Sequence, residues 1–248
     1  MIVKNRLLNF KDTIIYQDDD YFEFSLDSVL LANFVTIKLA DKRIIDLCTG
    51  NAPIPMLLSF RTKARIFGVE LQKNIYDLGI KSVIENGLNN KIELINCNVL
   101  DLNTSDYYEK FDVVTCNPPY FKYEKGSIVN PNMGKALARH EIKITLDEII
   151  KIAKYLLKNG GTFSMVHRAD RLIEIINIMQ KYKIEPKKIR VVYSKIDKPS
   201  NTILIEGVKN GKSGLKILNP LIVYDNNNKY CKEVVNMFGD GNNVAEKL

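Results

Sequence analysis

The stretch IIDLCTGNAPIP, residues 44–55, decides the fold. It begins as an apolar strand, carries Asp46 near the strand's end, turns at Gly50, and opens a helix at Pro53 or Ile54. A turn of this kind brings the backbone close to a ligand, and the N-terminus of the helix offers free N–H groups. Because the GxGxxG spacing of dinucleotide folds is absent, a turn that merely closes a strand remains the alternative.

On both sides of this stretch, short apolar runs alternate with amphipathic helical patterns, which predicts a parallel sheet built from strand-helix-strand units. The predicted strands are 43–48, 64–70, 91–96, 111–116 and 162–167, and the predicted helices are 25–40, a segment around 76–84, Thr145 to the pair Gly160-Gly161, and Leu172 to near Tyr182. Two later β-rich runs, 187–194 and 201–209, predict an antiparallel hairpin at the edge of the sheet. We therefore expect a Rossmann-like α/β fold, with a seven-stranded, mostly parallel sheet and helices on both faces.

The composition is that of an ordinary globular protein, with 46% hydrophobic and 26% charged residues. We expect a single domain over 1–248, with an N-terminal extension and first helix (1–40), a core (41–210) and a tail (211–248). No apolar run is long enough to span a bilayer, and the N-terminus has no secretory signal pattern. The four cysteines are scattered, which predicts neither a metal site nor disulfides and favours the cytoplasm. No obligate protein partner is indicated.

The net charge of +7 would attract a polyanion. Most of the basic residues are lysine, however, and asparagine is also abundant, as AT-rich codon usage would produce. The segment 181–198 holds seven basic residues against two acidic ones, and Lys187, Lys188 and Arg190 are the candidates for contact with an RNA backbone. A solvated edge is the equally weighted alternative.

A second nucleoside-binding feature is Glu70, twenty residues after Gly50 and at the end of the next predicted strand. A carboxylate at that place can accept both hydroxyls of a ribose. After the third strand, either Asn98 or Asp101 could recognise the edge of an adenine ring, and a plain loop or a helix cap is the alternative for both.

The fourth core strand ends in VVTCNPPYFK, residues 113–122. The Asn117 side-chain oxygen and the Pro118 carbonyl, held by the rigid pair with Pro119, could accept both hydrogens of an amine and draw its lone pair out of conjugation. The ring of Tyr120 could stack on a base, and Phe121 could form a second wall. A simple turn after the strand is the weaker alternative, because NPPY falls in register with the nucleotide turn.

The segment 124–144 is polar and long for a connection. It is interpreted either as a lid over the substrate, with Arg139 a stronger candidate than His140 for substrate contact, or as a disordered insertion. His167, at a strand end, is interpreted as structural.

Together, Asp46 to Gly50, Glu70, a polar group after strand three and NPPY resemble the S-adenosylmethionine-dependent methyltransferases that modify exocyclic or amide nitrogens. FEFSLDSVLLANFV (22–35), ARHE (138–141) and YLLKNGGTFSMVHRADRL (155–172) narrow the resemblance to the bacterial tRNA valine adenine-37 N6-methyltransferase family, from about residue 16 to about 235. Cys48, Ala52 and Asn98 depart from the residues frequent in relatives, namely glycine, glycine and aspartate.

The resemblance implies S-adenosylmethionine as the cofactor and a tRNA anticodon stem-loop as the substrate. It implies cofactor contacts from Phe24, Asp27, Asp46, Cys48, Gly50, Glu70, Leu71, Asn98, Val99 and Asn117. Release-factor glutamine methyltransferases, rRNA guanine-N2 methyltransferases, DNA adenine methyltransferases and a non-catalytic RNA-binding relative are the competing interpretations. Only some forty residues precede the nucleotide turn and no spare length remains for a target-recognition domain, which weakens the first and the third.

Overall fold

Strands and helices alternate along most of the chain, as the computed structural model shows for residues 2–7, 13–18, 25–118, 120 and 144–239. The strands are β1 (Ile2–Arg6), β2 (Ile14–Asp18), β3 (Arg43–Leu47), β4 (Arg65–Glu70), β5 (Ile92–Asn96), β6 (Phe111–Cys116), β7 (Leu157–Arg168), β8 (Ile184–Tyr193), β9 (Thr202–Lys209), β10 (Lys216–Ile217) and β11 (Leu221–Ile222). The helices are α1 (Leu26–Phe34), α2 (Pro53–Ser59), α3 (Lys73–Glu85), α4 (Leu146–Leu156), α5 (Leu172–Lys181) and α6 (Lys232–Met237), with 3₁₀ helices at Val99–Leu102 and Ala169–Arg171. No helix within these ranges is both long and apolar enough to cross a membrane.

The central sheet has nine strands, in the order β10-β8-β9-β7-β6-β3-β4-β5, with β11 also paired to β8. The five adjacent strands β7, β6, β3, β4 and β5 run parallel to one another. Strand β9 is antiparallel to both β7 and β8. The predicted α/β fold is therefore confirmed. The two strands beyond the predicted seven, β10 and β11, are two residues long and only extend the edge beside β8.

Apolar side chains cover both faces of this sheet. Ile44 and Ile45 belong to different hydrophobic clusters because successive side chains of a strand point to opposite faces. The cluster with Ile44 includes residues of α1 and α2, whereas the cluster with Ile45 includes residues of α4 and α5. Helices therefore lie on both faces, as predicted.

The predicted antiparallel hairpin exists as β8 and β9 and lies at the edge of the parallel strands, as predicted. Its second strand, β9, is the inner one and lies between β7 and β8. Residues Ile203, Leu204 and Ile205 of β9 are at most 1% exposed, so its side chains are buried on both faces of the sheet. A strand apolar on both faces is typical of a sheet interior, which explains why β9 is the inner strand of the hairpin.

Helix α1 was predicted to run to residue 40 and instead ends at Phe34. The next three residues, Val35, Thr36 and Ile37, are β-branched and weak helix formers. Thr36 donates hydrogen bonds from its N–H and its hydroxyl to the buried Glu206 carboxylate, at 2.8 and 2.7 Å, which fixes an extended conformation. The tertiary contact therefore overrides the helical pattern.

Helix α4 begins with the predicted capping box of Thr145 and Glu148 but ends at Leu156, before the glycine pair. Strand β7 starts at Leu157 and runs through both glycines. A Cβ atom at Gly161 would lie 2.9 Å from the Lys158 carbonyl oxygen and 3.0 Å from that of Asp112. The second glycine therefore permits close approach of two backbones, a role other than ending the helix.

An N-terminal hairpin of β1 and β2 was not predicted. It packs on α3, where the Tyr16 N–H donates to the Ser82 hydroxyl (2.9 Å) and the Ile14 N–H donates to Asn86 Oδ1 (2.8 Å). Asn51, in the nucleotide turn, donates from its amide to the Tyr16 carbonyl (2.7 Å). The hairpin of β1 and β2 thus contacts the nucleotide turn through Tyr16 and helps to fix its conformation.

An ion pair between Lys188 of β8 and the buried Glu206 of β9 lies against the end of α1. Glu206, 5% exposed, accepts from the Ser164 hydroxyl at 2.8 Å and lies 3.1 Å from Lys188 Nζ. Lys188 also donates to the Phe34 carbonyl at 2.8 Å. Lys188 is therefore a structural partner of a buried carboxylate.

We expect Lys188→Met to lower the free energy of unfolding by about 3 kcal/mol, because it leaves the buried Glu206 charge without its cation. Lys187→Met is the matched control, since Lys187 Nζ is exposed and bonds only to the carbonyls of Lys212 and Ser213. The control should change stability by less than about 0.5 kcal/mol. Urea unfolding curves measure both, and equal effects of the two substitutions would contradict the assignment.

Candidate active site

The site lies at the carboxyl edge of the parallel strands. Asp46 and Glu70 belong to the ends of β3 and β4, Asn117 follows β6, and His167 is at the end of β7. Because β3 pairs with both β4 and β6, and β6 pairs with β7, these positions form a row along one edge. Open α/β sheets bind ligands at this edge.

The nucleotide turn has an unusual backbone. Cys48, Gly50 and Ala52 all have positive φ, at 56°, 60° and 69°. Left-handed conformations cost non-glycine residues roughly 1–2 kcal/mol each. Cys48 and Ala52, the positions at which the resemblance implies glycine, are thus the two at which glycine would relieve backbone strain. A Cβ on Gly50 would meet no atom within 4 Å, so the turn faces open space where a ligand can approach.

Glu70 holds this turn in place. Its Oε2 accepts from the Gly50 N–H at 2.9 Å and its Oε1 accepts from the Gln72 N–H at 2.8 Å. The side chain is 7% exposed, and burial raises its pKa. Each carboxylate oxygen keeps a second lone pair, so the group remains able to accept from a ribose hydroxyl. The contact of Glu70 with the cofactor stays a prediction.

Asp46 is fully buried beside the turn. Its Oδ1 accepts from the Thr115 hydroxyl at 2.6 Å, and its Oδ2 has no hydrogen-bond partner among the described residues. Burial raises the pKa of Asp46 to about 7. A cationic ligand beside the turn would favour the carboxylate form, so this residue fits a cofactor that carries positive charge.

The loop after β5 retains both adenine-binding candidates. Asn98 Oδ1 accepts from the Leu100 N–H at 3.0 Å and caps the 3₁₀ helix, whereas Asp101 is exposed. Val99 is 6% exposed, and Leu71, beside Glu70, is 42% exposed. Contacts of these residues with the cofactor stay predictions.

Tyr120 turns inward onto Asn117 instead of standing free. Its hydroxyl lies 2.6 Å from Asn117 Oδ1 and 2.7 Å from Asp27 Oδ2, and its one hydrogen goes to one of these acceptors. Burial raises the pKa of both Asp27 and Tyr120. Asn117 Nδ2 donates to the Ser28 hydroxyl at 3.3 Å, which orients the amide oxygen toward Tyr120. The amide oxygen keeps a second lone pair, but stacking of the Tyr120 ring on a base would require its hydroxyl to leave Asn117 and Asp27.

Other predicted residues divide into two groups. Phe24, Pro119, Phe121, Arg139 and His140 lie outside the described residues, as does most of the predicted lid. Of the basic candidates, Lys188 forms an ion pair with Glu206 at 3.1 Å, and Arg190 forms one with Glu233 at 2.7 Å. Their contact with RNA stays a prediction, and for Lys188 the described contacts favour the structural role.

Sequence reasoning missed two polar partners of the site. Ser28 orients Asn117 across a separation of 89 residues, and Thr115 holds Asp46 across 69. Thr115 could have been inferred from the strand period, since it faces Asp46 on the paired strand. Nothing in the sequence signals Ser28.

The fold and the polar edge of its sheet are those of a Rossmann-like enzyme. The chain belongs to the methyltransferase-domain family, which matches residues 38–233. This confirms the predicted methyltransferase and S-adenosylmethionine as its cofactor.

Two relatives and one solved structure illustrate the similarity. The tRNA1(Val) (adenine(37)-N6)-methyltransferase of Cytophaga hutchinsonii is 22% identical over 195 residues, which cover 77% of this chain and 79% of the relative. The protein of the same name from Bacteroides thetaiotaomicron is 29% identical over 168 residues, covering 67% and 68%. A predicted O-methyltransferase from Agrobacterium tumefaciens has a TM-score of 0.69 at 20% identity and covers 86% of this chain and 95% of its own, which shows the shared fold.

Proposed function

We propose that this protein transfers a methyl group from S-adenosylmethionine to the N6 amine of an adenine in tRNA, and that the target is adenine 37 of a valine tRNA. The observation that carries the proposal is the Asn117 amide, which directly follows β6 beside the nucleotide turn and is oriented by the Ser28 hydroxyl. The relatives carry that activity in their names, and they match most of the chain.

The cofactor end of the site is built from the nucleotide turn. Glu70 accepts ribose hydroxyls, Gly50 allows close approach, and the Asp46 carboxylate balances positive charge. When bound, S-adenosylmethionine supplies an electrophilic methyl group on a sulfonium. The residues present fit this cofactor, because the buried Asp46 Oδ2 has no partner in the described parts of the chain and Gly50 faces open space.

At the substrate end, the chain's task is to make an amine nucleophilic. The lone pair of an adenine amine is delocalised into the ring. Asn117 Oδ1 and the Pro118 carbonyl accept hydrogen bonds from its two N–H groups and draw the lone pair out of conjugation, toward the methyl group. Transfer of the methyl group to N6 leaves S-adenosylhomocysteine, and the methylated nitrogen releases one proton to water. Tyr120, once turned outward, stacks on the base with a contact of about 1–3 kcal/mol.

The substrate base must leave its own stack to enter the site, which is least costly in a loop. An anticodon loop meets that requirement, and this makes the anticodon stem-loop the part of tRNA bound here. The four free cysteines agree with a reducing compartment, so the enzyme works in the cytoplasm.

The test is methyl transfer from labelled S-adenosylmethionine to an unmodified valine tRNA transcript, with the product nucleoside identified by mass spectrometry. We expect N6-methyladenosine at position 37, and no label in a transcript in which guanine replaces adenine 37. DNA and protein from the same cell are offered in parallel. Label in either of these with none in tRNA would contradict the substrate, and absence of cofactor binding by calorimetry would contradict the whole proposal.

A further inference from the structure

His167 is a fully buried histidine at the end of β7, next to the strand that carries Asn117. Its ring centroid lies 5.4 Å from that of Tyr120, with 53° between the two ring planes. It therefore sits directly behind the side chain that closes the substrate end of the site.

One of its ring nitrogens has a partner and the other has none. Nδ1 accepts a hydrogen bond from the Arg168 backbone N–H at 2.8 Å, so the hydrogen of the neutral ring is on Nε2. Nε2 is buried without a hydrogen-bond partner among the described residues. A buried, unsatisfied donor costs about 1–3 kcal/mol, so a purely structural histidine would be expected to have a partner here.

The ring is held in its neutral form by its surroundings. Burial, with the Arg171 cation as the next cause, lowers the pKa of His167 to about 4. Asp170 and Glu174 act in the opposite direction and are outweighed. Between pH 6 and 8 the side chain therefore offers a single N–H donor and no charge.

We propose that His167 recognises the substrate, its Nε2–H donating a hydrogen bond to the ring nitrogen of the target adenine that flanks the amine, N1 or N7. The inference rests on the proposed function and adds His167 to the residues that contact the substrate base. The donor becomes available by the movement that stacking of Tyr120 on the base also requires. When the Tyr120 ring turns outward it leaves both Asn117 Oδ1 and the His167 ring, so one side-chain rotation opens the space beside both groups.

This pairing bears on the choice of base. Adenine has a bare N1, which accepts, whereas N1 of guanine carries a hydrogen and would oppose the Nε2–H. Sites that hydrogen-bond a substrate group reject analogues that leave their buried polar atoms unpaired. Donation to N1 would therefore select adenine, and donation to N7 would position the base without selecting it.

The experiment compares His167→Gln with His167→Phe on the full-length protein and a full-length valine tRNA. Glutamine can place an amide N–H near the position of Nε2, whereas phenylalanine keeps the ring shape and removes the donor. We expect the phenylalanine variant to lose about 30- to 100-fold in kcat/KM, and the glutamine variant about fivefold or less. S-adenosylmethionine affinity should be unchanged in both. Equal losses in the two variants would overturn the proposal.

Substrates with 1-deazaadenosine or 7-deazaadenosine at position 37 identify the acceptor. If the hydrogen bond goes to N1, the wild-type enzyme loses the same factor on the 1-deaza substrate, and His167→Phe adds no further loss there. If the hydrogen bond goes to N7, the wild-type enzyme shows this loss on the 7-deaza substrate instead, and His167→Phe adds no further loss there. If wild type is insensitive to both deaza substitutions, the inference is wrong even if the variants fail to fold. If wild type methylates no tRNA at all, the proposed function fails instead.

Discussion

We expect Asn117→Ala to lower kcat by roughly 10²–10³-fold, the usual loss on removing one preorganised group that acts in the transition state, and to leave cofactor binding nearly intact. The physical reason is that, in the proposed function, Asn117 Oδ1 accepts its hydrogen bond from the amine most strongly while the lone pair is being redirected. Single-turnover rates with saturating cofactor measure the effect, and calorimetry with S-adenosylmethionine should give a dissociation constant within about twofold of wild type.

Ser28→Ala is the matched comparison for this substitution. It keeps the Asn117 oxygen and removes the hydroxyl that accepts from Asn117 Nδ2 at 3.3 Å. The amide then loses its orienting partner, and we expect about a fivefold loss of kcat, since one neutral hydrogen bond contributes about 1 kcal/mol. Near-normal turnover by Asn117→Ala would remove Asn117 from the mechanism.

The second large effect is expected from Glu70→Ala, which should raise the dissociation constant for S-adenosylmethionine by about 100-fold. Hydrogen bonds to a charged group contribute about 1.5–3 kcal/mol. Glu70 fixes the Gly50 N–H and, in the proposed function, also accepts from the cofactor ribose. Calorimetry with S-adenosylmethionine and S-adenosylhomocysteine measures the change.

Glu93→Ala provides the control for Glu70. It removes a glutamate from the neighbouring strand β5, where Glu93 is exposed and paired with Arg65 at 2.8 Å. Its affinity for the cofactor should equal that of wild type. If Glu70→Ala binds as tightly as this control, the ribose contact assigned to Glu70 is wrong.

Much of the sheet could be predicted from sequence because its strands are short apolar runs bounded by turns. The observed β4 and β6 begin and end within one residue of the predicted strands. The position of β9 could not be predicted, because an apolar run fits either edge or interior and only long-range packing decides. The end of α1 depends on Glu206, 170 residues away from Thr36.

The site divides in the same way. Glu70 and Gly50 were predicted as parts of one nucleoside site from their spacing along a strand-helix-strand unit. In the structure the Gly50 N–H donates to Glu70 Oε2 at 2.9 Å. The link from Tyr120 to Asp27 spans 93 residues and depends on which rotamer Tyr120 adopts. Histidine 167 was interpreted as structural because a sequence does not show that one of its nitrogens lacks a partner.

The position of β9 has a consequence for synthesis of the chain. Strand β9 lies between β7 and β8, although it follows both in sequence. A nascent chain that ends before Thr202 therefore leaves the twelve-residue β7 as an open edge. Open edges of this kind pair with other chains. The fraction of new molecules that escapes aggregation thus depends on how soon residues 202–209 leave the ribosome after β7.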